Sequence, residues 1–544
     1  MGKKIKGKSF LIYFIPLLIA GVIKFYIHPI DIMPFNADEA IVALMARHIN
    51  MGNIPVFFYG QSYMGSLDAI LVALGFRAFG EEVWVIRFIQ SLLYLGTVFT
   101  TMVIAKRLLK SERAVLFTGL MMAVPPINTS LYSTVSLGGY GEMLLIGNLL
   151  LLGGISLIRR IKERQPEVKK RDYLGLFLWG LGAGFAFWVI GLTLVYSLPV
   201  IILCIWYSIK KMSWKTYLPV LVLFLGSAIG SLPWWFSAVQ AGDLGIISEL
   251  AGGAIKGAGT GSILFRPLQR TLNLVIFGGT VLIGLRPPWD ISWLILPLIP
   301  IILIFWLTVL VFSIRKSIEN TVEAGRIVLT LMGLILSAGF ILSPYGDDPS
   351  GRYFLPLMIP MVVFGAELLT TQIPKKPIIE YAAILIILLF NIGGTIQSAK
   401  AYPPGITTQF DKVAQVDMNY MAELIIFLEE NQINTGYSNY WVSYPLAFLS
   451  GEEIVFIPRL PYHEDFRYTA RDDRYNPYHE FIDNSNKLAY ITTNHPQLNE
   501  YLRDEFSGIG VNWDEKDIGD FHIFYNLSEL VRVDEIGLGV TTTP

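Results

Sequence analysis

The stretch that decides the fold class is 291–312, ISWLILPLIPIILIFWLTVLVF. It carries no charged residue, and it is long enough to cross the hydrocarbon core of a bilayer as a helix, which takes about 20 apolar residues. Of the 544 residues in the chain, 53% are hydrophobic and 16% are charged. An ordinary soluble domain has about 25% charged residues. Most of the chain is therefore predicted to lie in a membrane.

Similar apolar runs recur along the first 400 residues. They lie at 10–27, 83–104, 114–124, 143–158, 173–190, 193–209, 217–235, 327–343, 353–369 and 378–396. With 291–312 they predict a polytopic α-helical membrane protein of about 11 spans. The first run is interpreted as a retained span, because no small-residue cleavage site of a signal peptide follows it.

Basic residues orient these spans, because cytoplasmic loops collect Lys and Arg. The basic clusters lie at 3–8, 106–113, 159–171, 210–215, 315–316 with 326, and 375–376. All of these clusters can face the cytoplasm only if the short, glycine-rich stretch 272–285 does not cross the membrane. We therefore interpret this stretch as an interfacial or re-entrant helix on the outer side. The N-terminus is then cytoplasmic, and the C-terminus and the long loops at 29–82 and 238–290 lie on the outer face.

Charge and cysteine content exclude several classes of function. The net charge is -1, and no basic stripe of the kind that binds nucleic acid is found outside short loops. The single cysteine, Cys204, lies in an apolar run, so this chain alone offers neither a disulfide framework nor a thiolate metal site. Its six histidines are not clustered with cysteine, which argues against a structural zinc site.

The composition changes after residue 398. Helix-like segments at 421–430 and 498–506 alternate with strand-like segments at 453–457, 488–493 and 520–525. We therefore predict two domains. The first, at 1–397, is a membrane domain with functional loops on its outer face, and the second, at 398–544, is a small soluble extracytoplasmic α/β domain.

The first outer loop carries two adjacent carboxylates, Asp38 and Glu39. Apolar residues at helical spacing follow at 41–49, so the pair stands at the start of a helix beside the membrane. One interpretation is a catalytic pair. The other is helix capping, because Asn36 followed three residues later by Glu39 is close to the capping-box pattern.

Two further acids stand at predicted helix starts. Asp68 begins an amphipathic segment, 66–79, which with 41–49 predicts a pair of interfacial helices. Asp68 is interpreted either as a helix-terminus residue or as a residue that binds a sugar hydroxyl. Glu142 ends the glycine-rich sequence GGYGE at 138–142, where a loop meets a span. An acid in this place indicates a function, with a solvated helix-start acid as the alternative.

Arg352, in the sequence DDPSGRY at 347–353, lies at the outer end of a span and departs from the positive-inside bias. A guanidinium can hold a phosphate through two parallel hydrogen bonds. The alternatives are snorkelling from the helix end and a salt bridge to Asp347 or Asp348. Arg266, Arg270 and Arg286 add positive charge on the same face, with the same interpretations.

In this combination the chain resembles the GT-C superfamily of membrane glycosyltransferases, of the protein-O-mannosyltransferase and aminoarabinose-transferase type. The resemblance covers roughly the first 400 residues. It rests on the basic N-terminus with one span, the acidic pair Asp38 and Glu39, the two interfacial helices, Glu142, the Gly-Arg-Tyr motif at 351–353 and the outer α/β tail. The segment 60–65 lacks the paired prolines that many members carry after the acidic motif, which leaves the acceptor class open.

The resemblance implies a polyprenyl-phosphate or dolichyl-phosphate sugar as the donor. Asp38 would be the base, with Glu39 and Glu142 as supporting acids. We expect the donor phosphate to be bound by Arg352, together with Arg266, Arg270 and Arg286. The residues expected to line the substrate pocket are Tyr59, Gln61, Tyr63, Asp68, Tyr140 and Tyr353.

The predicted function is transfer of a sugar from this lipid-linked donor to an acceptor hydroxyl on the outer face of the cell membrane. Such a site needs one base and positive charge at the phosphate, and direct attack inverts the anomeric carbon. The predicted acceptor is a lipid, a glycan or a protein. No cofactor is required, although Asp38, Glu39 and Glu142 could together hold a divalent cation through oxygen ligands.

Two other functions are compatible with this sequence. One is a transporter or flippase of a lipid-linked sugar, although a carrier should place ionisable residues near the bilayer midplane. The other is a glycan-binding membrane scaffold, in which the acids only cap helices.

Overall fold

The computed structural model describes residues 2–27, 32–164, 170–209, 218–241, 265–319, 323–372, 377–401, 405–468 and 470–540. Several predicted features lie outside the described residues: the basic clusters at 210–215 and 375–376, much of the loop at 238–290 and part of the loop at 159–171. The side chains of the cluster at 3–8 are also outside them.

Helices dominate the described chain. In order they are α1 (Gly2–Val22), α2 (Ala37–Asn50), α3 (Leu67–Phe79), α4 (Val83–Leu108), α5 (Glu112–Ala123), α6 (Ile127–Tyr132), α7 (Tyr140–Arg164), α8 (Lys170–Val189), α9 (Leu194–Ile209), α10 (Leu218–Gly230), α11 (Leu232–Ala241), α12 (Arg266–Leu272), α13 (Gly279–Leu282), α14 (Ile299–Glu319), α15 (Ala324–Leu342), α16 (Met358–Thr371), α17 (Pro377–Ala399), α18 (Met421–Glu430), α19 (Tyr440–Leu449), α20 (Tyr478–Asp483) and α21 (Pro496–Gly508). The strands are β1 (Phe57–Phe58), β2 (Gln61–Gly65), β3 (Thr435–Ser438), β4 (Val455–Pro458), β5 (Ala489–Thr493), β6 (Asp514–Ile518) and β7 (Phe521–Tyr525).

Many of these helices are suited to a membrane. Among the described residues, 7 are long and apolar enough to cross one: Val83–Leu108, Tyr140–Lys162, Lys170–Val189, Leu296–Glu319, Ala324–Leu342, Arg352–Thr371 and Pro377–Ala399. The pair α10 and α11, bent by 58°, would make an eighth span. Shorter apolar helices, Phe10–Tyr26 and Gly191–Tyr207, lie at two of the remaining predicted spans, and α5 lies at the third, 114–124. The chain is therefore an integral membrane protein, and the number of about 11 spans stays a prediction.

The segment 272–285 is helical as far as Leu282 in the structure. It comprises the end of α12, a π-helix at Asn273–Gly278 and α13. It is not among the candidate spans of the described chain. Its interfacial or re-entrant position stays a prediction.

The chain forms two compact units. The first comprises Met1–His28, Tyr63–Asp68 and Arg87–Ser398, and the second comprises Pro29–Ser62, Ala69–Ile86 and Ala399–Pro544. The second unit thus combines the C-terminal region with two segments of the first loop. The division into domains at 1–397 and 398–544 stays a prediction.

Small residues bring helices into close contact in the first unit. A Cβ atom added to Gly180 or Gly184 of α8 would lie 2.2 Å from the backbone oxygen of Leu223 or 2.0 Å from that of Ser227, both on α10. In lipid there is no hydrophobic driving force between helices, so close backbone packing of this kind stabilises their association.

The second unit contains a five-stranded sheet of order β4-β3-β5-β7-β6. Strand β3 pairs in parallel with β4 and β5, whereas β5, β7 and β6 are antiparallel. The sheet and the helices α18 and α19 share an apolar core that includes Leu428, Leu446, Phe456 and Ile491. Because parallel strands end at the same edge, residues that follow β3, β4 and β5 are placed close together.

Candidate functional site

Asp38 lies at the start of α2 in the second unit, and it is half-buried. The helix is capped by Asn36, whose side-chain oxygen accepts a hydrogen bond of 3.1 Å from the backbone N–H of Glu39. The capping alternative is therefore confirmed for Asn36. The Asp38 carboxylate has a different partner: its Oδ1 accepts a hydrogen bond of 2.7 Å from the hydroxyl of Tyr440. The neighbouring Glu39 is fully buried.

Tyr440 reaches Asp38 because of its position after a strand. Strand β3 ends at Ser438, and Asn439 caps α19 by accepting a hydrogen bond of 3.0 Å from the backbone N–H of Trp441. The amide of Asn439 also donates to the hydroxyl of Thr493, at the end of β5. Tyr440 is thus the first residue of α19, at the carboxyl edge of the parallel strands, where α/β folds commonly bind ligands.

Charged and polar groups of the second unit surround Tyr440. The guanidinium of Arg474 lies 5.5 Å from the centre of its ring. In the amide orientation that satisfies both groups, the side-chain oxygen of Gln61 accepts hydrogen bonds of 2.7 and 2.8 Å from Arg474. Asp472 is buried nearby, and burial raises the pKa of its carboxyl to about 6, against the opposing effect of Arg474.

Tyr59 belongs to a second polar cluster of this unit. Its hydroxyl is 2.9 Å from Nδ1 of His48, whose Nε2 lies 3.0 Å from Glu452. The ring of Tyr475 stacks on both Tyr59 and His48. Burial acts to raise the pKa of Glu452, but the hydrogen bonds from His48 and Tyr478 outweigh it and lower that pKa. This cluster ties α2 to the C-terminal part of the same unit.

In the first unit, Asp68 and Glu142 are both buried and close enough to interact electrostatically. Oδ2 of Asp68 accepts hydrogen bonds from the hydroxyl of Ser136, at 2.5 Å, and from the backbone N–H of Gly138, at 3.2 Å. Oδ1 accepts one of 2.9 Å from Gln90. Burial raises the pKa of Asp68, and the bonds to Ser136 and Gly138 oppose this rise. Asp68 therefore anchors the loop that leads into α7.

Arg352 also belongs to the first unit and follows Gly351, which has a left-handed backbone with φ of 92°. Its Nη2 donates a hydrogen bond of 2.5 Å to Asp348, and its guanidinium lies 5.1 Å from the centre of the Tyr353 ring. The side chain of Arg352 is 37% exposed. Its Nε has no hydrogen-bond partner among the described residues.

A cavity of about 300 Å³ lies in the same unit. Its wall is formed by the residues that begin α9, by apolar residues of α15, and by a group of tyrosines, Tyr63, Tyr140, Tyr345 and Tyr353. Three of these tyrosines, Tyr63, Tyr140 and Tyr353, are close enough to Arg352 to interact with its charge. The structure thus places three predicted residues, Tyr63, Tyr140 and Tyr353, in the wall of an apolar cavity, and a fourth, Arg352, close to them.

Two of the other three predicted arginines, Arg270 and Arg286, donate hydrogen bonds to groups of the protein. Arg270 donates two hydrogen bonds of 2.9 Å to the carboxylate of Asp347. Arg286 donates to the backbone oxygens of Phe277, Pro287 and Asp290. Arg266 begins α12, and its Nε is buried without a partner in the described part of the chain. Of the two acids proposed as partners for Arg352, Asp348 is the one that it contacts.

No group of three or more His, Cys, Asp or Glu side chains within the described ranges could hold a metal ion.

Three residues beside Asp38 were not predicted from the sequence: Tyr440, Asp472 and Arg474. The sequence signal for Tyr440 is the capping residue Asn439 directly after a strand-like segment. No local pattern marks Asp472 or Arg474, because they lie in an irregular segment that packs near α19 only in the folded chain.

Solved structures with this fold are known. ArnT from Cupriavidus metallidurans bound to undecaprenyl phosphate has a TM-score of 0.58 and 10% sequence identity, with 98% of each chain covered. The archaeal oligosaccharyltransferase AglB from Archaeoglobus fulgidus, in complex with an inhibitory peptide and a dolichol-phosphate, has a TM-score of 0.51 and 13% identity over 89% of this chain and 69% of that one. Both are GT-C glycosyltransferases, so the predicted GT-C fold is confirmed. No protein-family model matches the chain, and no curated protein matches it.

Proposed function

We propose that this chain of GT-C fold is a membrane glycosyltransferase that moves a sugar from a polyprenyl-phosphate donor to an acceptor hydroxyl. The reaction takes place on the outer face of the cell membrane and inverts the anomeric carbon. The observation that carries the proposal is the apolar cavity beside Arg352, with its group of tyrosines.

The cavity suits a lipid phosphate for two reasons. Apolar residues of α9 and α15 offer a surface for the first isoprene units, while the guanidinium of Arg352 and the tyrosine hydroxyls offer donors for the phosphate. Asp348 uses only one of the five N–H donors of Arg352. The pairing with Asp348 therefore holds the guanidinium in place and leaves further donors for a ligand.

The chemistry needs one proton acceptor and a stabilised leaving group. Asp38 takes the proton of the acceptor hydroxyl as its oxygen attacks the anomeric carbon. The bond between that carbon and the phosphate oxygen breaks, and its electron pair stays on the phosphate, whose charge Arg352 stabilises. Glu39 and Glu142 act as supporting acids. The solved structures of similar fold support this assignment, because one holds undecaprenyl phosphate and the other a dolichol-phosphate.

Donor binding tests the proposal. Solubilised wild-type, Arg352→Lys and Arg352→Ala proteins are titrated with an undecaprenyl-phosphate sugar and with the same sugar without phosphate. We expect Lys to weaken binding of the lipid donor, because it keeps the charge but loses the planar fork, and Ala to weaken it further. Arg315→Ala is the matched control, because Arg315 is an exposed arginine of α14.

Equal donor affinity in the wild type and both Arg352 variants would remove the phosphate role of Arg352. Tight donor binding by a wild-type protein that moves the intact lipid without cleaving it would instead identify a carrier.

A further inference from the structure

The hydrogen bond between Tyr440 and Asp38 joins two residues 402 positions apart in the chain. Tyr440 is buried, and its ring is packed edge-on against Trp441 and Tyr444, with centroids 5.0 and 5.6 Å away. Burial and the nearby charge of Asp38 raise the pKa of the Tyr440 hydroxyl well above its usual range. The protonated hydroxyl, which is the form that donates the hydrogen bond, is therefore favoured.

Hydrogen bonds also stabilise the position of the Tyr440 backbone. Asn439, which caps α19, is itself buried and is anchored to β5 through the hydroxyl of Thr493. That hydroxyl donates in turn to the backbone oxygen of Val413. A side chain supported in this way can hold the group that it contacts within a narrow range of positions.

The bond engages only one of the two carboxylate oxygens of Asp38. In the chain as described, Oδ1 accepts from Tyr440, and Oδ2 has no hydrogen-bond donor. A carboxylate held through one oxygen presents the other in a defined direction.

We propose that Tyr440 is the positioning residue of the catalytic base, and that the C-terminal α/β region thereby takes part in the reaction by orienting Asp38. This inference rests on the proposed function, because it assigns Tyr440 to the base of that reaction. Tyr440 acts through Asp38 and does not itself transfer a proton.

The substitution Tyr440→Phe tests the inference, because it removes the hydroxyl and keeps the ring. We expect kcat to fall on the order of 10- to 100-fold while the KM for the lipid donor stays near the wild-type value. The double variant Asp38→Asn/Tyr440→Phe should be no slower than Asp38→Asn alone.

Tyr490→Phe is the matched control. Tyr490 is a buried tyrosine of the same sheet, whose hydroxyl donates a hydrogen bond of 2.8 Å to the backbone oxygen of Val531. Loss of this hydroxyl should lower the melting temperature about as much as Tyr440→Phe does, with kcat unchanged. If Tyr440→Phe does not fold, O-methyltyrosine at position 440 replaces it. This residue keeps the ring and its oxygen but has no hydrogen to donate, so kcat should fall as it does in Tyr440→Phe.

Two results would overturn the inference. Active wild-type protein whose kcat is unchanged by the substitution at position 440 would remove the role of Tyr440 and leave the proposed function intact. Wild-type protein that transfers no sugar from any lipid-phosphate donor would remove both.

Discussion

Two hydrogen bonds of 2.9 Å join the guanidinium of Arg270 to the carboxylate of Asp347, and the two side chains are only 9% and 7% exposed. Removing one partner of a buried pair leaves an uncompensated charge, which costs about 3 to 5 kcal/mol. We therefore expect Asp347→Ala to lower the melting temperature of the detergent-solubilised protein strongly. Asp348→Ala should lower it less, because its partner Arg352 is 37% exposed. Equal losses in the two variants would contradict this ranking.

Gly351 is expected to be essential for the position of Arg352. Its φ is 92°, and an added Cβ atom would lie 2.6 Å from both Oδ1 of Asn128 and Cγ1 of Val281. Strain of this kind costs on the order of 1–3 kcal/mol, so Gly351→Ala should lower both the melting temperature and the affinity for the lipid donor. Gly333→Ala, on α15, is the control, because nothing lies within 4 Å of its added Cβ. A Gly351→Ala protein with wild-type donor affinity would show that the backbone there is not required.

The buried carboxyl of Asp472 should make stability depend on pH. Its pKa is raised by burial to about 6 in the folded protein, against about 3.9 in an unfolded chain. The folded state therefore holds the proton more tightly, and its stability falls as pH rises from about 4 to about 6, by up to about 3 kcal/mol. Asp472→Asn removes this loss. The melting temperature of the variant should exceed that of the wild type more at pH 7 than at pH 4, and a difference that does not change with pH would contradict the assignment.

The predicted topology can be tested with single engineered cysteines. The natural Cys204 is buried and should give little background labelling. Asn484→Cys, at an exposed position after α20, should react with a membrane-impermeant maleimide on intact cells. Lys110→Cys, exposed in the basic cluster at 106–113, should react only after the cells are opened. The reverse pattern would invert the orientation and place the C-terminal region in the cytoplasm.

Much of the architecture follows from local sequence patterns. Long apolar runs such as 291–312 and 378–396 predict helices because the bilayer requires that length, and helices are present at both places. The strand-like segments 488–493 and 520–525 correspond to β5 and β7. Strand β3, with the sequence TGYS, was not predicted, since four residues without an alternating pattern carry little signal.

The chemistry of the site was only partly predictable. Asp38, Glu142 and Arg352 stand out because a carboxylate or guanidinium beside an apolar run is costly without a function. The partner of Asp38 could not be predicted, because Tyr440 is 402 positions away and meets it only through the folding of the second unit. The partner of Arg270 was not predicted, because the sequence offered both Asp347 and Asp348 as partners of Arg352, whereas the structure pairs Asp347 with Arg270 and Asp348 with Arg352.

Sugar transfer by purified protein is the most direct test of the proposed function. Wild-type and Asp38→Asn proteins are placed in vesicles with undecaprenyl-phosphate sugars and a mixture of cell-envelope acceptors, and mass spectrometry follows the release of undecaprenyl phosphate and the gain of sugar on an acceptor. We predict release with matching transfer by the wild type and neither by Asp38→Asn, which keeps the size of the side chain but removes the basic carboxylate. Transfer at the wild-type rate by Asp38→Asn, or no release by the wild type with any donor, would contradict the account.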